Sequence, residues 1–270
     1  MTSDRQWERQ LKRRLRQLDR ESRRRRRPYL GGPLLPSLVI SLVLAAFIMI
    51  RDPGAGGYQV RHLLGLDHRV SEAVDLPPER GHFAFAMTQP GTRKPVSWNP
   101  CEEIQYVVNP DGAPADWRDL VETSTHDLEQ ATGLRFHYAG TSSARDFEDR
   151  TGTFGEPKPV LIGWATDSEV PRLAGDVAGL GGSAAVETRP GHLSYVTGMV
   201  ALDRDLFDEL EVTGETDPMR AILDHELGHV VGLGHVSDRN ELMYDGTLAR
   251  ETFGPGDLQG LARVGAVPCD

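Results

Sequence analysis

The chain has 270 residues, enough for one or two domains, and a formal net charge of −10 at pH 7. Residues 1–33 contain twelve Arg or Lys and four Asp or Glu, a net charge of +8, so residues 34–270 carry −18. Because this larger acidic part would repel phosphate, we do not expect a nucleic-acid partner.

An apolar segment follows the basic N-terminal arm. Residues 34–50 contain no charged side chain, and seventeen residues are close to the minimum for a membrane-spanning helix. We expect an uncleaved anchor, because the basic region is long for a signal peptide and no Ala-x-Ala site follows. The positive-inside rule then predicts a single-pass cell-membrane protein with its N-terminus in the cytoplasm and the rest outside. The alternative is a protein secreted after signal cleavage.

The remaining chain divides into a linker and a folded region. Residues 51–81 include Asp-Pro-Gly-Ala-Gly-Gly and Leu-Pro-Pro-Glu-Arg-Gly, which are typical of an extended stalk. Regular strand and helix patterns begin near Phe83, so we place the folded domain at residues 82–270. This domain is predicted to contain strands at 103–108, 134–140, 159–165, 179–187 and 195–202. A helix is predicted at 114–133, between the first and second of these strands.

A helix is also predicted before the most histidine-rich stretch of the chain. Asp217 is its expected cap and Pro218 its expected first residue, and apolar residues then recur at helical spacing. His225 and His229 are four residues apart, so both imidazoles lie on one face, one turn apart. Glu226 lies about 100° around the helix from His225, close enough to act beside a shared metal ion.

A third histidine follows after a turn. Gly232 can end the helix in the left-handed conformation, and the chain can then return His235 towards the first two histidines. Three neutral nitrogen ligands leave one position of a tetrahedral zinc ion open, which is the arrangement of a catalytic site.

The complete pattern HExxHxxGxxH is the zinc signature of the metzincin metallopeptidases, and the chain resembles their matrixin group. Met243 stands eight residues after His235, where the family has a methionine in a tight turn beneath the metal. The likeness extends from about Phe83 to Val267 and is sharpest at residues 225–244. One departure is Val236, where many matrixins have Ser.

The resemblance implies an α+β (mixed α/β) zincin-like fold. Its parts would be a five-stranded mixed sheet, a zinc-binding active-site helix and a Met-turn. An antiparallel edge strand would border the cleft and align an extended peptide through its unpaired backbone groups. We predict this strand at Ser183–Glu187, and a glycine-rich loop is the alternative. The predicted substrate-binding residues are Ser183, Ala184, Ala185, Val186 and Tyr244.

The implied activity is that of a zinc endopeptidase acting on proteins or peptides. One Zn²⁺ would be held by His225, His229 and His235, and Glu226 would be the general base. Met243 would form the floor of the site without binding the metal. The alternative from another class is a non-hydrolytic zinc-binding interaction module, which would have no need for Glu226.

Two further expectations concern calcium and the cysteines. Bound Ca²⁺ has little support, because Asp176, Asp203 and Asp205 offer oxygen atoms but no EF-hand-like loop is present. Cys101 and Cys269 are predicted to form a disulfide if the domain lies on the oxidising side of the membrane, and two free thiols are the alternative. The sequence does not specify an oligomeric state.

Overall fold

The computed structural model of the protein describes residues 43–45, 63–65, 68–78, 80–150, 157–247 and 249–269. The predicted basic arm, most of the predicted membrane helix and much of the predicted stalk lie outside these residues. Within the described ranges, no helix is long and apolar enough to span a membrane. The chain divides into units Met1–Arg51 and Asp52–Asp270, and the fold described below belongs to the second.

A mixed sheet and four helices make up the described part of this unit. The strands are β1 (Ala84–Phe85), β2 (Glu103–Asn109), β3 (Arg135–Thr141), β4 (Val160–Ala165), β5 (Gly179–Arg189), β6 (His192–Asp203) and β7 (Leu233–Gly234). The helices are α1 (Trp117–Thr132), α2 (Arg204–Thr213), α3 (Thr216–Val231) and α4 (Pro255–Gly265), with a short 3₁₀ turn at Pro171–Leu173.

The main sheet has five strands in the order β3-β2-β4-β6-β5. Neighbouring strands are parallel except β5, which runs antiparallel to β6 at one edge. The central strand β4 is buried along its whole length, as expected of a parallel strand covered on both faces. The predicted mixed α/β, zincin-like fold and the antiparallel edge strand are therefore confirmed.

Helix α3 has a different start from the predicted one. It begins at Thr216 after Glu215, and Asp217 lies in its first turn without capping it. An acidic side chain there still interacts favourably with the N-terminal end of the helix dipole. The helix ends as predicted at Gly232, which has a left-handed φ of 117°. Its fully buried side chains, Leu223, Leu227, Val230 and Val231, fix it against the sheet.

One helix and a pair of short strands are absent from the sequence-based prediction. Helix α2 lies between β6 and α3, and its first turn is capped by Asp203, whose Oδ1 accepts a hydrogen bond from Leu206 N at 2.7 Å. Strands β1 and β7 form a separate two-stranded antiparallel sheet. Helix α2 matters for the site, because Leu206 and Leu210 line the cleft described below.

Residues 68–78, within the predicted stalk, contact the folded domain. The Arg69 guanidinium donates to the carbonyls of Gly265 and Val267, at 2.7 and 2.9 Å. Val70 N donates to Pro100 O at 3.0 Å. These contacts hold the entering chain at the C-terminal end of α4.

A disulfide lies next to these contacts. Cys101 and Cys269 are bonded, with their Cα atoms 5.6 Å apart, and Cys101 is fully buried. The bond joins the segment before β2 to the segment after α4, and their sequence separation is 168 residues. Closing so long a loop restricts the unfolded chain strongly in the chain-entropy view of disulfide stabilisation.

Candidate zinc site and cleft

Three histidine rings converge at the C-terminal half of α3. His225 and His229 come from successive turns of the helix, and His235 returns to them after β7. The Nε2 atom of His235 lies 3.1 Å from Nε2 of His225 and 3.0 Å from Nε2 of His229. The structure therefore brings together the three histidines that the sequence predicts as ligands.

Backbone carbonyls set the orientation of the two helical rings. Nδ1 of His225 lies 2.7 Å from Leu242 O, and Nδ1 of His229 lies 2.8 Å from Leu233 O. A carbonyl only accepts hydrogen bonds, so each Nδ1 carries the ring proton. The Nε2 lone pairs therefore point at the shared centre, which is the usual way in which proteins orient metal-binding histidines.

The geometry of the triad fits a zinc ion. The three ligand atoms lie within 4.8 Å of one another. Tetrahedral zinc with metal–nitrogen bonds of ~2.0–2.1 Å places its ligand nitrogens about 3.3 Å apart. The observed separations of 3.0 and 3.1 Å are close to this value, and imidazole nitrogen is a preferred zinc ligand.

The protonation state of the rings also suits metal binding. Burial lowers the pKa of His225 to about 4. Burial, with a further contribution from neighbouring His225, lowers the pKa of His229 to about 3. Both rings are therefore neutral near pH 7, which leaves the Nε2 lone pairs free for a cation.

Glu226 lies beside the triad and beneath the edge strand. Its side chain lines the cleft but is only 7% exposed. Burial raises the pKa of Glu226 to about 8, and the N–H of Gly181 partly opposes this by favouring the ionised form. A cation held by the neighbouring histidines would also lower the pKa of Glu226, because an opposite charge stabilises the carboxylate.

Met243, the predicted floor of the site, is buried against helix α3. It is 1% exposed, and its sulfur would lie 2.7 Å from a Cβ placed at Gly228. Gly228 is on α3 between His225 and His229, so the absence of a side chain lets the thioether pack directly against the helix below the triad. This packing keeps Met243 in the core instead of at the metal position.

Two buried carboxylates hold the turn that contains Met243. Asp257 Oδ2 accepts hydrogen bonds from Leu242 N and from Gly254 N, the latter at 2.9 Å. Leu242 O in turn accepts from His225, so Asp257 holds the residue whose carbonyl orients a predicted ligand. Burial raises the pKa of Asp257 to about 6.

Glu241 is the second of these carboxylates. It is 1% exposed and accepts hydrogen bonds from Gly256 N at 2.9 Å, Asp257 N at 3.0 Å and His82 N at 3.2 Å. It thus joins the Met-turn to the N-terminus of α4 and to the chain entering the domain. The sequence interpretation assigns Glu241 no role, because its partners are backbone groups of segments distant in sequence.

The cleft has a volume of about 1600 Å³ and contains all three histidines, Glu226 and Tyr244. Gly179 to Ser183 of β5 form one wall. The opposite wall comes from residues 244–247 and 249–252, after the Met-turn. Several apolar side chains line the end next to α2: Leu206, Leu210, Pro218, Ala221 and Ile222.

The part of the edge strand that lines the cleft lies earlier than predicted. Ser183 is in the wall, but its hydroxyl donates to Val230 O of α3 at 2.7 Å. Ala184, Ala185 and Val186 continue β5 outside the cleft lining. The wall extends back to Gly179 because glycines let the strand approach α3 closely.

Tyr244 stands at the opposite side of the cleft. Its hydroxyl accepts a hydrogen bond from Arg239 Nε at 3.3 Å, and the guanidinium carbon lies 5.4 Å from the centre of the ring. This contact gives Tyr244 a defined orientation in the lining of the cleft, and its predicted substrate contact stays a prediction.

The acidic residues considered for calcium are not gathered together. Asp203 caps α2, Asp205 lies in the first turn of that helix, and Asp176 lines the cleft. Over the described ranges, the His225, His229 and His235 triad is the one group of three or more side chains with ligand atoms close enough to share an ion.

Comparison with known proteins shows which family this part of the chain is similar to. Residues 129–252 match the model of the family described as Matrixin. Among solved structures, archaemetzincin (amzA) from Methanopyrus kandleri aligns with 60% of this chain and 95% of its own, at 19% identity and a TM-score of 0.36. None of the curated proteins compared with the chain matches it. The matrixin match covers the edge strand, the histidine motif and the Met-turn, and the predicted resemblance is thereby confirmed: residues 129–252 are similar to the matrixins.

Proposed function

We propose that the protein is a zinc-dependent endopeptidase. The observation that carries the proposal is the convergence of three histidine Nε2 atoms beside a buried glutamate, in a cleft walled by an antiparallel edge strand. The similarity of residues 129–252 to the matrixins supports zinc peptidase chemistry in general. Cleavage at internal bonds is the finer part of the proposal.

Each residue of the site has a chemical role in this proposal. His225, His229 and His235 hold the zinc ion, which when bound supplies Lewis acidity that lowers the pKa of water and polarises a carbonyl. The Glu226 carboxylate accepts the proton of the attacking water and then donates it to the departing amine. Met243 and the buried surroundings keep the rings in place and limit access of bulk water.

The shape of the cleft supports an extended peptide as substrate. β5 is the terminal strand of the sheet, so its outer backbone groups can pair with an added strand. The volume of about 1600 Å³ exceeds the roughly 300–1,000 Å³ of small-molecule pockets. Several consecutive residues therefore fit, as the cleavage of internal bonds requires.

A fluorogenic peptide library tests the activity on the full-length protein purified in detergent. We expect cleavage at internal bonds, identified by mass spectrometry of the products, with loss of activity in a chelator and recovery on adding Zn²⁺. Release of terminal residues alone would contradict an endopeptidase, and chelator-resistant cleavage would contradict zinc dependence. Zinc binding without any hydrolysis would favour the non-hydrolytic module.

We propose in addition that an N-terminal helix at residues 34–50 anchors the protein in the cell membrane, with residues 82–270 outside the cytoplasm. Seventeen uncharged residues after a strongly basic arm support this orientation. The disulfide between Cys101 and Cys269 supports an oxidising compartment.

Protease treatment of intact cells tests the location. The folded domain should be removed while an epitope in the arginine-rich arm stays protected. Digestion of both would show that the orientation is wrong, and a secreted product lacking the arm would favour signal cleavage.

A further inference from the structure

Two glycines of β5 lie directly against Glu226 of α3. A Cβ placed at Gly179 would lie 2.8 Å from Glu226 Cγ and 3.2 Å from both Cδ and Oε1. A Cβ at Gly181 would lie 2.1 Å from the backbone oxygen of Glu226. Real Cβ atoms essentially never come within 3.0 Å of another heavy atom, so neither position accepts a side chain without movement.

Backbone conformation does not explain these glycines. Neither Gly179 nor Gly181 has a positive φ, so alanine could adopt the same backbone angles. Alternate residues of a strand face the same side, and Ser183, next in this series, contacts α3 through its hydroxyl bond to Val230 O. The glycines are therefore required by the close approach of the strand to Glu226.

The residue between them provides a contrast. Gly182 points to the other face of β5, and a Cβ placed there meets no atom within 4 Å. Gly181 also presents its N–H to the Glu226 carboxyl group. Contact with Glu226 thus distinguishes Gly179 and Gly181 from a glycine of the same strand with the same conformational freedom.

We propose that Gly179 and Gly181 are positioning residues that hold the Glu226 carboxylate under the edge strand, where the substrate peptide lies. Gly179 leaves the space that the carboxylate occupies. Gly181 directs its N–H to the carboxylate and lets the strand pack closely against the backbone of α3. The catalytic meaning of this arrangement rests on the proposed function, whereas the arrangement itself can be tested without any activity.

The two positions predict different consequences of adding a methyl group. At Gly179 the atoms in the way belong to the end of a flexible side chain, so Glu226 can turn aside with little effect on the fold. At Gly181 they belong to the helix backbone, so strand and helix must separate. Gly179→Ala is therefore the informative variant, and Gly181→Ala is expected to lower the melting temperature.

Crystal structures of the variants give a test that is independent of activity. In Gly179→Ala the Glu226 carboxylate should be displaced by about 1 Å or more, a misplacement of the size that impairs catalysis. In Gly182→Ala, which adds the same methyl group to the opposite face, the carboxylate should keep its position. A carboxylate that stays in place in Gly179→Ala would overturn the proposal.

Kinetics on the full-length protein show whether the effect acts through Glu226. Gly179→Ala should lower kcat about 10- to 100-fold with little change in KM and with zinc content unchanged. In a Glu226→Gln background the same substitution should cause no further loss, whereas Gly182→Ala should have the same effect in both backgrounds. An equal loss from Gly179→Ala in both backgrounds would overturn the positioning role. Full activity of Glu226→Gln alone would instead contradict the proposed function, and the crystallographic test would still stand.

Discussion

Two buried glutamates in neighbouring regions of the site have opposite surroundings. On the cleft side of α3, Glu226 has the Gly181 N–H as its one donor among the described residues, and burial raises its pKa to about 8. At the junction of the Met-turn with α4, Glu241 accepts hydrogen bonds from three backbone N–H groups. These donors fix the position of the Glu241 carboxylate, whereas the Glu226 carboxylate keeps lone pairs that can accept a proton.

The secondary structure around each residue explains the difference. The first turn of a helix has N–H groups without partners inside the helix, and the N-terminus of α4 directs two of them at Glu241. Glu226 instead lies side-on to an edge strand, where the residues facing it are glycines. The same side chain is therefore structural at one place and suited to proton transfer at the other.

The largest expected effect comes from Glu226→Gln. Loss of the general base should lower kcat about 10²–10⁴-fold. Zinc content and unfolding free energy should not decrease, because no network of donors depends on this carboxylate. Metal analysis, denaturant titration and peptide cleavage measure the three quantities. Wild-type activity in this variant would remove Glu226 from the mechanism.

Glu241→Ala should show the reverse pattern. The buried N–H groups of Gly256 and Asp257 and the part-buried N–H of His82 would lose their acceptor. Because a buried hydrogen bond to a charged group contributes ~1.5–3 kcal/mol, loss of the two buried bonds should lower the unfolding free energy by about 3–6 kcal/mol. Urea denaturation measures the loss, and Glu241→Gln, which keeps one acceptor oxygen, is the control with a smaller effect. Equal stability of Glu241→Ala and wild type would mean that the two glutamates do not differ as described.

Asp257 gives a pH-dependent test of the same junction. Burial raises its pKa from 3.8 to about 6, so the folded state prefers the protonated carboxyl group. Its contribution to stability is therefore largest at acid pH and is lost as the pH rises from about 4 through about 6, by up to roughly 3 kcal/mol.

The measurement is the difference in unfolding free energy between wild type and Asp257→Asn, followed from about pH 4 to about pH 7. The difference should move against wild type with increasing pH. An opposite slope would show that the hydrogen bonds from Leu242 and Gly254 outweigh burial and make the carboxylate the preferred form.

Arg69→Ala should have the smallest effect. It tests whether contacts at the C-terminal end of α4 influence the site independently of those at its N-terminal end. The guanidinium contacts carbonyls at the C-terminal end of the helix, away from Glu241 and Asp257. We expect the unfolding free energy to fall by about 1–2 kcal/mol with kcat unchanged. A marked loss of kcat would mean that the C-terminal end of α4 is coupled to the Met-turn.

Sequence spacing predicted the convergence of the three histidines because helical geometry is local. His225 and His229 at i and i+4 must share a face of a helix, and Gly232 provides the end of that helix. The predicted cap, Asp217, is wrong by two residues, because the helix is preceded by Glu215. Helix α2 could have been predicted from the sequence, because Asp203 caps its start and Gly214 follows its end.

The features that the sequence did not predict depend on contacts between distant segments. Nothing near Glu241 in the sequence indicates that its partners are Gly256, Asp257 and His82. The glycines of β5 resemble a loop in sequence, since their requirement comes from the approach of α3. That is why the cleft-lining part of the strand was placed at Ser183 onwards instead of from Gly179.

The attachment of residues 68–78 determines how the domain responds to mechanical load. The hydrogen bonds of Arg69 and Val70 are among the contacts that resist tension in the preceding chain. Those bonds end beside Cys101 and Cys269, whose covalent link does not yield under forces that break hydrogen bonds. None of residues 68–78 lines the cleft, so a pull on this attachment acts on the C-terminal end of α4 and not directly on the three histidines.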